Sequence, residues 1–243
     1  MKKFNLAFMV AFSIGLSSCD TLNQYAGALN TALGTPSQTE MNQGLKQALE
    51  FGTNESASQL SAKNGYFANP TVKILFPAEA QKVENTLRSL GLNSLCDNVI
   101  LSLNRAAEDA AKQAKPIFVD AIKQMSFQDV TNILLGQNDA ATFYFKRTTS
   151  TALAEQFKPV IANSLNQVGA TRYWTDVSST YNKIPLVKPI DTDLAVYVTQ
   201  KAIDGLFVEI AQEELKIRQN ISARSTRLLQ KVFAYADQRK VGN

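Results

Sequence analysis

The chain has 243 residues and a formal net charge of +4, but it contains no histidine. The missing imidazole excludes a Ser-His-Asp triad and histidine-based metal sites, including the Glu-x-x-His pattern of di-iron bundles. The 25 Lys and Arg residues nearly balance the 21 Asp and Glu residues, so we expect no strongly basic surface of the kind that binds nucleic acid. Motifs for zinc, nucleotide and hydrolase sites, such as Cys-x-x-Cys and Gly-x-Ser-x-Gly, are absent as well. We therefore predict no catalytic residues, no metal site, no cofactor and no nucleic-acid partner.

The first residues have the pattern of an export signal. Lys2 and Lys3 precede an apolar run from Phe4 to Leu16, which is too short for an ordinary membrane-spanning helix. The run ends in Leu16-Ser17-Ser18-Cys19, which resembles the lipobox of bacterial lipoproteins. The resemblance implies cleavage before Cys19 and attachment of acyl chains, palmitate among them, to that residue. The alternative is an ordinary signal peptide with a chance cysteine at the cleavage site.

An exported, lipid-anchored chain is expected in the cell envelope, facing the periplasm. Its first partner is then the membrane, and an envelope protein or a lipid is a candidate second partner. Asp20 resembles the signal that retains lipoproteins in the inner membrane of enteric bacteria, but the rule does not hold in all bacteria. The choice between inner and outer membrane therefore stays open. Cys96 is left without a disulfide partner, and its apolar neighbours favour a buried position over a reactive thiol.

The tether and the first helix come next along the chain. Residues 19–36 are small and polar and are predicted to form a tether. Ser37 and Glu40 match a helix capping box, which predicts a helix that runs to about residue 60. The stretch from Tyr66 to Pro77 carries turn signals and is expected to be irregular, with Val72–Leu75 as its one extended piece.

Helical periodicity dominates the middle of the chain. The expected helices span about 77–91, 99–114, 116–125, 130–135, 142–147 and 150–168. Ser94 with Asp97, and Ser126 with Asp129, are the expected N-terminal caps. Pro159 is expected to bend the last of these helices.

The C-terminal third contains the longest predicted helix. A short helix over about 171–181 and a loop over 182–192 precede it, and Asp191 or Asp193 is its expected cap. Its apolar face has the spacing i, i+3, i+4, i+7 and comprises Ile203, Leu206, Phe207 and Ile210. Its expected polar face comprises Glu209, Gln212, Glu213 and Lys216. A final helix carries Leu228, Leu229, Val232 and Phe233.

These patterns predict an all-α fold. No alternation lasts long enough to build a sheet, and no repeat has a solenoid period. We expect a signal peptide over 1–18, the tether over 19–36, and one bundle-like domain of about eight to ten helices over 37–243.

Three polar clusters are candidate ligand or partner contacts. Asn104, Arg105 and Glu108 form the first, where the alternative is a solvated face or an inter-helix hydrogen bond. Glu214 and Arg218 belong to the second, where an ordinary surface salt bridge is the alternative. Trp174 lies in the third, beside Arg172 and Tyr173, and a core tryptophan is its alternative. A basic stretch of Arg218, Arg224 and Arg227 is expected to be exposed to solvent.

Several segments resemble a bacterial family known as domain of unknown function 4197. They are Gly44-Leu-Lys-Gln-Ala-Leu49, Asn104-Arg-Ala-Ala-Glu108, Pro116-Ile-Phe-Val-Asp-Ala-Ile122, Asp139-Ala-Ala-Thr142, Asp204-Gly-Leu-Phe207, Glu213-Glu214 and Ile217-Arg218. Members often carry export signals or lipoboxes. The resemblance implies one helical domain over most of residues 40–235, and it implies no activity or catalytic residue.

Three hypotheses follow for function. The first is a lipid-anchored, non-enzymatic envelope protein that binds a partner or ligand through a helical surface. The second is a carrier of lipid or another apolar ligand in a cavity between helices. The third is a carboxylate-dependent envelope hydrolase built on Glu108 with Glu213 or Glu214, which needs two carboxylates roughly 5–9 Å apart.

Overall fold

The regular structure is entirely helical in the residues that the computed structural model describes, which are 34–183, 189 and 193–241. This confirms the predicted all-α domain. The helices are α1 (Gln38–Ser61), α2 (Gln81–Ser89), α3 (Asn93–Ala111), α4 (Ala114–Lys123), α5 (Phe127–Leu134), α6 (Ala140–Gln167), α7 (Ala170–Asn182), α8 (Leu194–Gln219) and α9 (Arg227–Val241). None of these helices is long and apolar enough to cross a bilayer. The predicted signal, Cys19 and the tether up to residue 33 lie outside the described residues.

The long helices α1, α3, α6 and α8 pack together at the centre of the domain. Helices α6 and α8 are antiparallel, because Thr142 at the start of α6 contacts Glu214 near the end of α8, whereas Lys158 reaches Asp193 before α8 begins. The ring of Phe118 on α4 packs edge-on against Phe145 of α6, with centroids 5.2 Å apart. Burial of such apolar surface is the main force that holds the helices together.

Helix α9 closes the domain by running antiparallel along α1. Lys231 Nζ donates to a Glu40 carboxylate oxygen at 2.7 Å, and Thr226 Oγ1 donates to Gln47 at 2.9 Å. Between these contacts, a Cβ added to Gly44 would lie 2.7 Å from Val232 Cγ2. Glycine at this position therefore sets how closely the two helices approach.

The irregular segment 62–77, here called the strap, crosses α3 and α8. Its backbone is held by side chains, because it has few regular backbone partners of its own. The Asn104 side chain accepts from the Ile74 N–H and donates to the Ile74 carbonyl, both at 2.8 Å. Tyr66 is fully buried and its hydroxyl donates to the Ala202 carbonyl at 2.7 Å. The prediction of an irregular segment from Tyr66 to Pro77 is confirmed.

Helix α6 differs from its prediction. We expected a short helix over 142–147 and a second one after residue 150, but Ala140–Gln167 is one continuous helix that contains Pro159. The polar run at its middle does not break it, because the hydroxyls of Thr148, Thr149 and Ser150 each donate to the carbonyl four residues back.

The predicted caps have mixed outcomes. The boxes at Ser37 and at Ser126 are confirmed, and Asp193 caps α8. The cap predicted at Ser94 with Asp97 is wrong, because α3 already begins at Asn93 and Asp97 forms an ion pair with Arg88 instead. The α8 apolar face is buried as predicted, but Glu209 of the expected polar face is buried too and accepts from Asn69 of the strap at 2.7 Å.

Cys96 is buried on α3, as predicted. Burial raises the pKa of its thiol. A raised pKa lowers the thiolate fraction, which is the reactive species, so the structure favours packing as the role of this residue.

Candidate functional site

Glu214 and Arg218 form a buried ion pair on α8. Arg218 Nη2 donates to Glu214 Oε1 at 2.8 Å, and each side chain is only 6% exposed. The spacing of four residues is the one predicted, but the expectation of a surface salt bridge is wrong. Residue spacing on one helix defines a face, and it cannot show which other helices cover that face.

This pair joins the end of α5 to the start of α6. Glu214 accepts from the backbone N–H groups of Ala141 at 2.9 Å and Thr142 at 2.8 Å. Arg218 donates to the carbonyls of Ile133 at 2.7 Å and Leu134 at 3.3 Å. A carboxylate at a helix start and a guanidinium at a helix end match the two helix dipoles. The polar atoms of the pair are therefore occupied within the protein.

The first cluster also faces inward. Asn104 and Glu108 share one face of α3, and both are buried. One carboxylate oxygen of Glu108 accepts from the N–H groups of Tyr66 and Phe67, both at 3.2 Å, while the other pairs with Arg105. The cluster holds the strap, so it is neither a solvated face nor an inter-helix bond.

The third cluster divides between core and surface. Trp174 is 5% exposed and lies beside Phe76, with ring centroids 6.4 Å apart, which supports the core interpretation. Tyr173 and Arg172 are exposed. The geometry therefore gives little support to Asn104, Arg105, Glu108, Trp174, Glu214 or Arg218 as ligand contacts, and their assignment as contacts stays a prediction.

The basic stretch of Arg218, Arg224 and Arg227 is not exposed to solvent along its whole length. Arg224 is 1% exposed and donates to the carbonyls of Ile217 and Arg218 at the end of α8. Of the three arginines, only Arg227 is exposed as expected.

The carboxylates of the hydrolase hypothesis are bound to different parts of the chain. Glu108 binds the strap, whereas Glu214 binds the first turn of α6. Both oxygens of Glu213 accept from Lys216. Each carboxylate thus has a structural partner, and the geometry offers no support for an acid–base pair.

A small cavity lies in the core between α1, α6 and α8, lined by residues that include Leu45, Phe145 and Ile210. Its volume is about 30 Å³. That is room for roughly one water molecule, whereas sites for drug-sized ligands measure about 300–1,000 Å³. The cavity therefore gives no support to the apolar-carrier hypothesis.

A larger opening, here called the groove, lies between α1, the end of α8 and the start of α9. It has a volume of about 470 Å³, and Phe51, Ile217 and Leu229 give it apolar walls. Its lysine, Lys216, is already paired with Glu213 at 3.1 Å. Among the residues that line the groove, the one positive charge is therefore already paired.

A second opening of about 400 Å³, here called the cleft, is formed by α4, α5 and α6. Its floor is a link between two helices, because the Tyr144 hydroxyl of α6 donates to the Ala121 carbonyl of α4 at 3.1 Å. Burial raises the pKa of Tyr144, which keeps this hydroxyl protonated and able to donate. The capping box of Ser126 with Asp129 positions the start of α5 at one end of the cleft.

Charges of both signs line the cleft. Arg147 of α6 makes no hydrogen bond or ion pair with any residue that the structure describes, although its guanidinium lies 5.8 Å from the centre of the Tyr144 ring. Asp120 and Asp129 each use one oxygen for a neighbour, Lys123 and Ser126 respectively. Hydrogen bonds from Ser126 hold the pKa of Asp129 below its ordinary value, and Arg147 adds to this effect, so the carboxylate stays ionised.

The sequence carries no direct signal for the cleft. Asp120, Asp129 and Arg147 belong to three separate helices, and no motif or periodicity links them. Their one local signal is the capping box, which explains Asp129 as a helix cap and predicts nothing about a ligand. Only the packing of α4, α5 and α6 brings the three charges to one opening.

Comparison with known proteins gives one match. Residues 35–234 match the model of a protein family described as "Protein of unknown function (DUF4197)". No curated protein and no solved structure matches the chain.

Proposed function

The chain belongs to the DUF4197 family, whose function is unknown, and we propose that it is a lipid-anchored envelope protein that binds a small polar ligand without chemically changing it. The single observation that carries the binding role is the cleft. It combines a volume in the usual range, a buried floor and a guanidinium that pairs with no residue in the described part of the chain, and these are features of a ligand site.

The anchor is supported by the sequence. Lys2, Lys3, the apolar run and the Leu16-Ser17-Ser18-Cys19 motif together fit a lipoprotein signal. The chain between Cys19 and the start of α1 spans at most about 70 Å when extended, so the anchored domain stays near the membrane. Labelled palmitate should enter the wild-type protein and not Cys19→Ser, and labelling of that variant would refute the anchor.

A binding role without catalysis is supported by the use of the acidic side chains. The buried carboxylates Glu108, Glu209 and Glu214 all accept hydrogen bonds from the backbone or side chains of the protein. The sequence also has no histidine to act as a general base.

The binding role is tested by filling the cleft. Ala152 lines the cleft, so Ala152→Trp should block it, and the exposed neighbour Thr151→Trp is the matched control. The melting temperature of the purified lipoprotein is measured with amino acids, peptides, sugar phosphates and polyols at millimolar concentration. A ligand at about 100 times its Kd stabilises by roughly 2.7 kcal/mol, which is a rise of about 5–10 °C for a domain of this size.

We expect at least one class of compound to raise the melting temperature of the wild type and of Thr151→Trp, but not that of Ala152→Trp. The proposal fails if no compound stabilises the wild type, or if Ala152→Trp responds as the wild type does.

A further inference from the structure

The arrangement of charge in the cleft limits the ligand that it can hold. Arg147 supplies one positive charge from α6, while Asp120 of α4 and Asp129 of α5 supply two negative charges. A simple anion that approaches Arg147 also meets two carboxylates, and a simple cation that approaches the carboxylates meets the guanidinium. Each of these ligands pairs with one group at the cost of repulsion from the other.

The polar atoms of the cleft that remain available also suit a ligand with one negative and one positive end. Arg147 has its donors unused by any described residue, and a planar guanidinium suits the paired oxygens of a carboxylate or phosphate. Asp120 and Asp129 each keep one oxygen without a donor among the described residues. A free carboxylate oxygen accepts from an ammonium group.

Part of the lining of the cleft is well buried. Tyr144 is 7% exposed and Ala121 is 9% exposed. Asp120 and Arg147, by contrast, are exposed, so the charged groups lie nearer to solvent than this floor. A ligand with two charged ends therefore places its central carbon atoms over this floor.

From this arrangement we infer that the ligand of the cleft is a small zwitterion, with a carboxylate or phosphate that binds Arg147 and an ammonium group that binds Asp120 and Asp129. This inference rests on the proposed binding function. A free amino acid or short peptide and the headgroup of an aminophospholipid share this chemistry.

Defined probes separate the two ends of the ligand. Isothermal titration of the purified lipoprotein uses L-alanyl-L-alanine, its N-acetylated form and its C-terminal amide, with glycerophosphoethanolamine as the headgroup probe. Removal of either charge should weaken binding by about tenfold or more, because each end forms charge-assisted hydrogen bonds. Stronger binding of the dipeptide assigns a peptide or amino acid as the source, and stronger binding of the headgroup probe assigns a lipid.

Two variants test the assignment of each end. In Arg147→Gln, the dipeptide and its amide should bind equally, because the partner of the carboxylate is gone. In Asp120→Asn, the dipeptide and its N-acetylated form should become closer in affinity. Lys112→Gln, which removes an exposed lysine of the Lys112–Asp109 pair outside the cleft, is the control and should bind as the wild type does.

The outcomes distinguish this inference from the proposed function. Equal binding of the free and blocked dipeptides overturns the zwitterion, as does binding of neither zwitterionic probe while another compound stabilises the wild type and not Ala152→Trp. In both cases the proposed binding role stands. If no compound binds, both fail.

Discussion

Replacement of Glu214 by alanine tests the buried ion pair that joins α5 to α6. The carboxylate accepts five hydrogen bonds, two from Arg218, two from the backbone N–H groups of Ala141 and Thr142, and one from the Thr142 hydroxyl. In Glu214→Ala, the guanidinium of Arg218 stays buried without its counter-ion, and the first turn of α6 loses its acceptor. Removal of one partner of a buried pair costs about 3–5 kcal/mol.

The free energy of unfolding is measured by urea denaturation followed by circular dichroism. We expect Glu214→Ala to lower it by about 3–5 kcal/mol, whereas Lys216→Ala, which breaks an exposed pair on the same helix, should cost roughly 0–1 kcal/mol. The double variant Glu214→Ala/Arg218→Ala should lose less than the sum of the two single losses, because neither buried charge remains unpaired. A loss for Glu214→Ala that equals the Lys216→Ala loss would show that the pair does not support the α5–α6 junction.

Three further changes test the strap, helix packing and the start of α1. Asn104→Leu leaves both polar groups of Ile74 without partners and should cost about 2–4 kcal/mol in urea denaturation, with faster amide exchange at Ile74. Unchanged exchange would refute that role. Gly205→Ala places a Cβ 2.8 Å from Tyr66 Cε1 and should cost about 1–3 kcal/mol, whereas Gly52→Ala, with 3.6 Å to Glu213 Cβ, should be neutral or stabilising by up to about 1 kcal/mol. Equal effects of the two glycine variants would contradict the packing argument. Hydrogen bonds from Lys231 and Ser37 lower the pKa of Glu40 from 4.5 to about 2, so its stabilisation is present above pH 4.5 and disappears as the pH falls to about 2. The difference in unfolding free energy between wild type and Glu40→Gln should therefore shrink over that range, and a constant difference would exclude the ion pair as its cause.

Local signals in the sequence were sufficient for most of the fold. The caps at Ser37 and Ser126 were predictable because donor and acceptor are three residues apart. The N-terminus of α6 shows the limit of such signals. Asp139 stands at the N-cap position but makes no side-chain hydrogen bond there, and Glu214 caps the helix from 72 residues away.

The same limit explains the errors about burial. Glu209 was expected on the polar face of α8 and Arg224 in an exposed basic stretch. Instead, Asn69 of the strap binds Glu209, and a carbonyl at the end of α8 accepts from Arg224. The cleft depends on the packing of three helices, and no pattern within one helix encodes it. The contacts between residues that are distant in sequence could therefore not be predicted from the sequence alone.

The antiparallel contact of α1 and α9 has a consequence for the order of assembly. The surface around Gly44 is covered by Val232, which lies 188 residues later in the chain. The apolar side of α1 therefore stays open until α9 has been synthesised. Loss of α9 therefore removes part of the core, because Leu229, Val232 and Phe233 are buried.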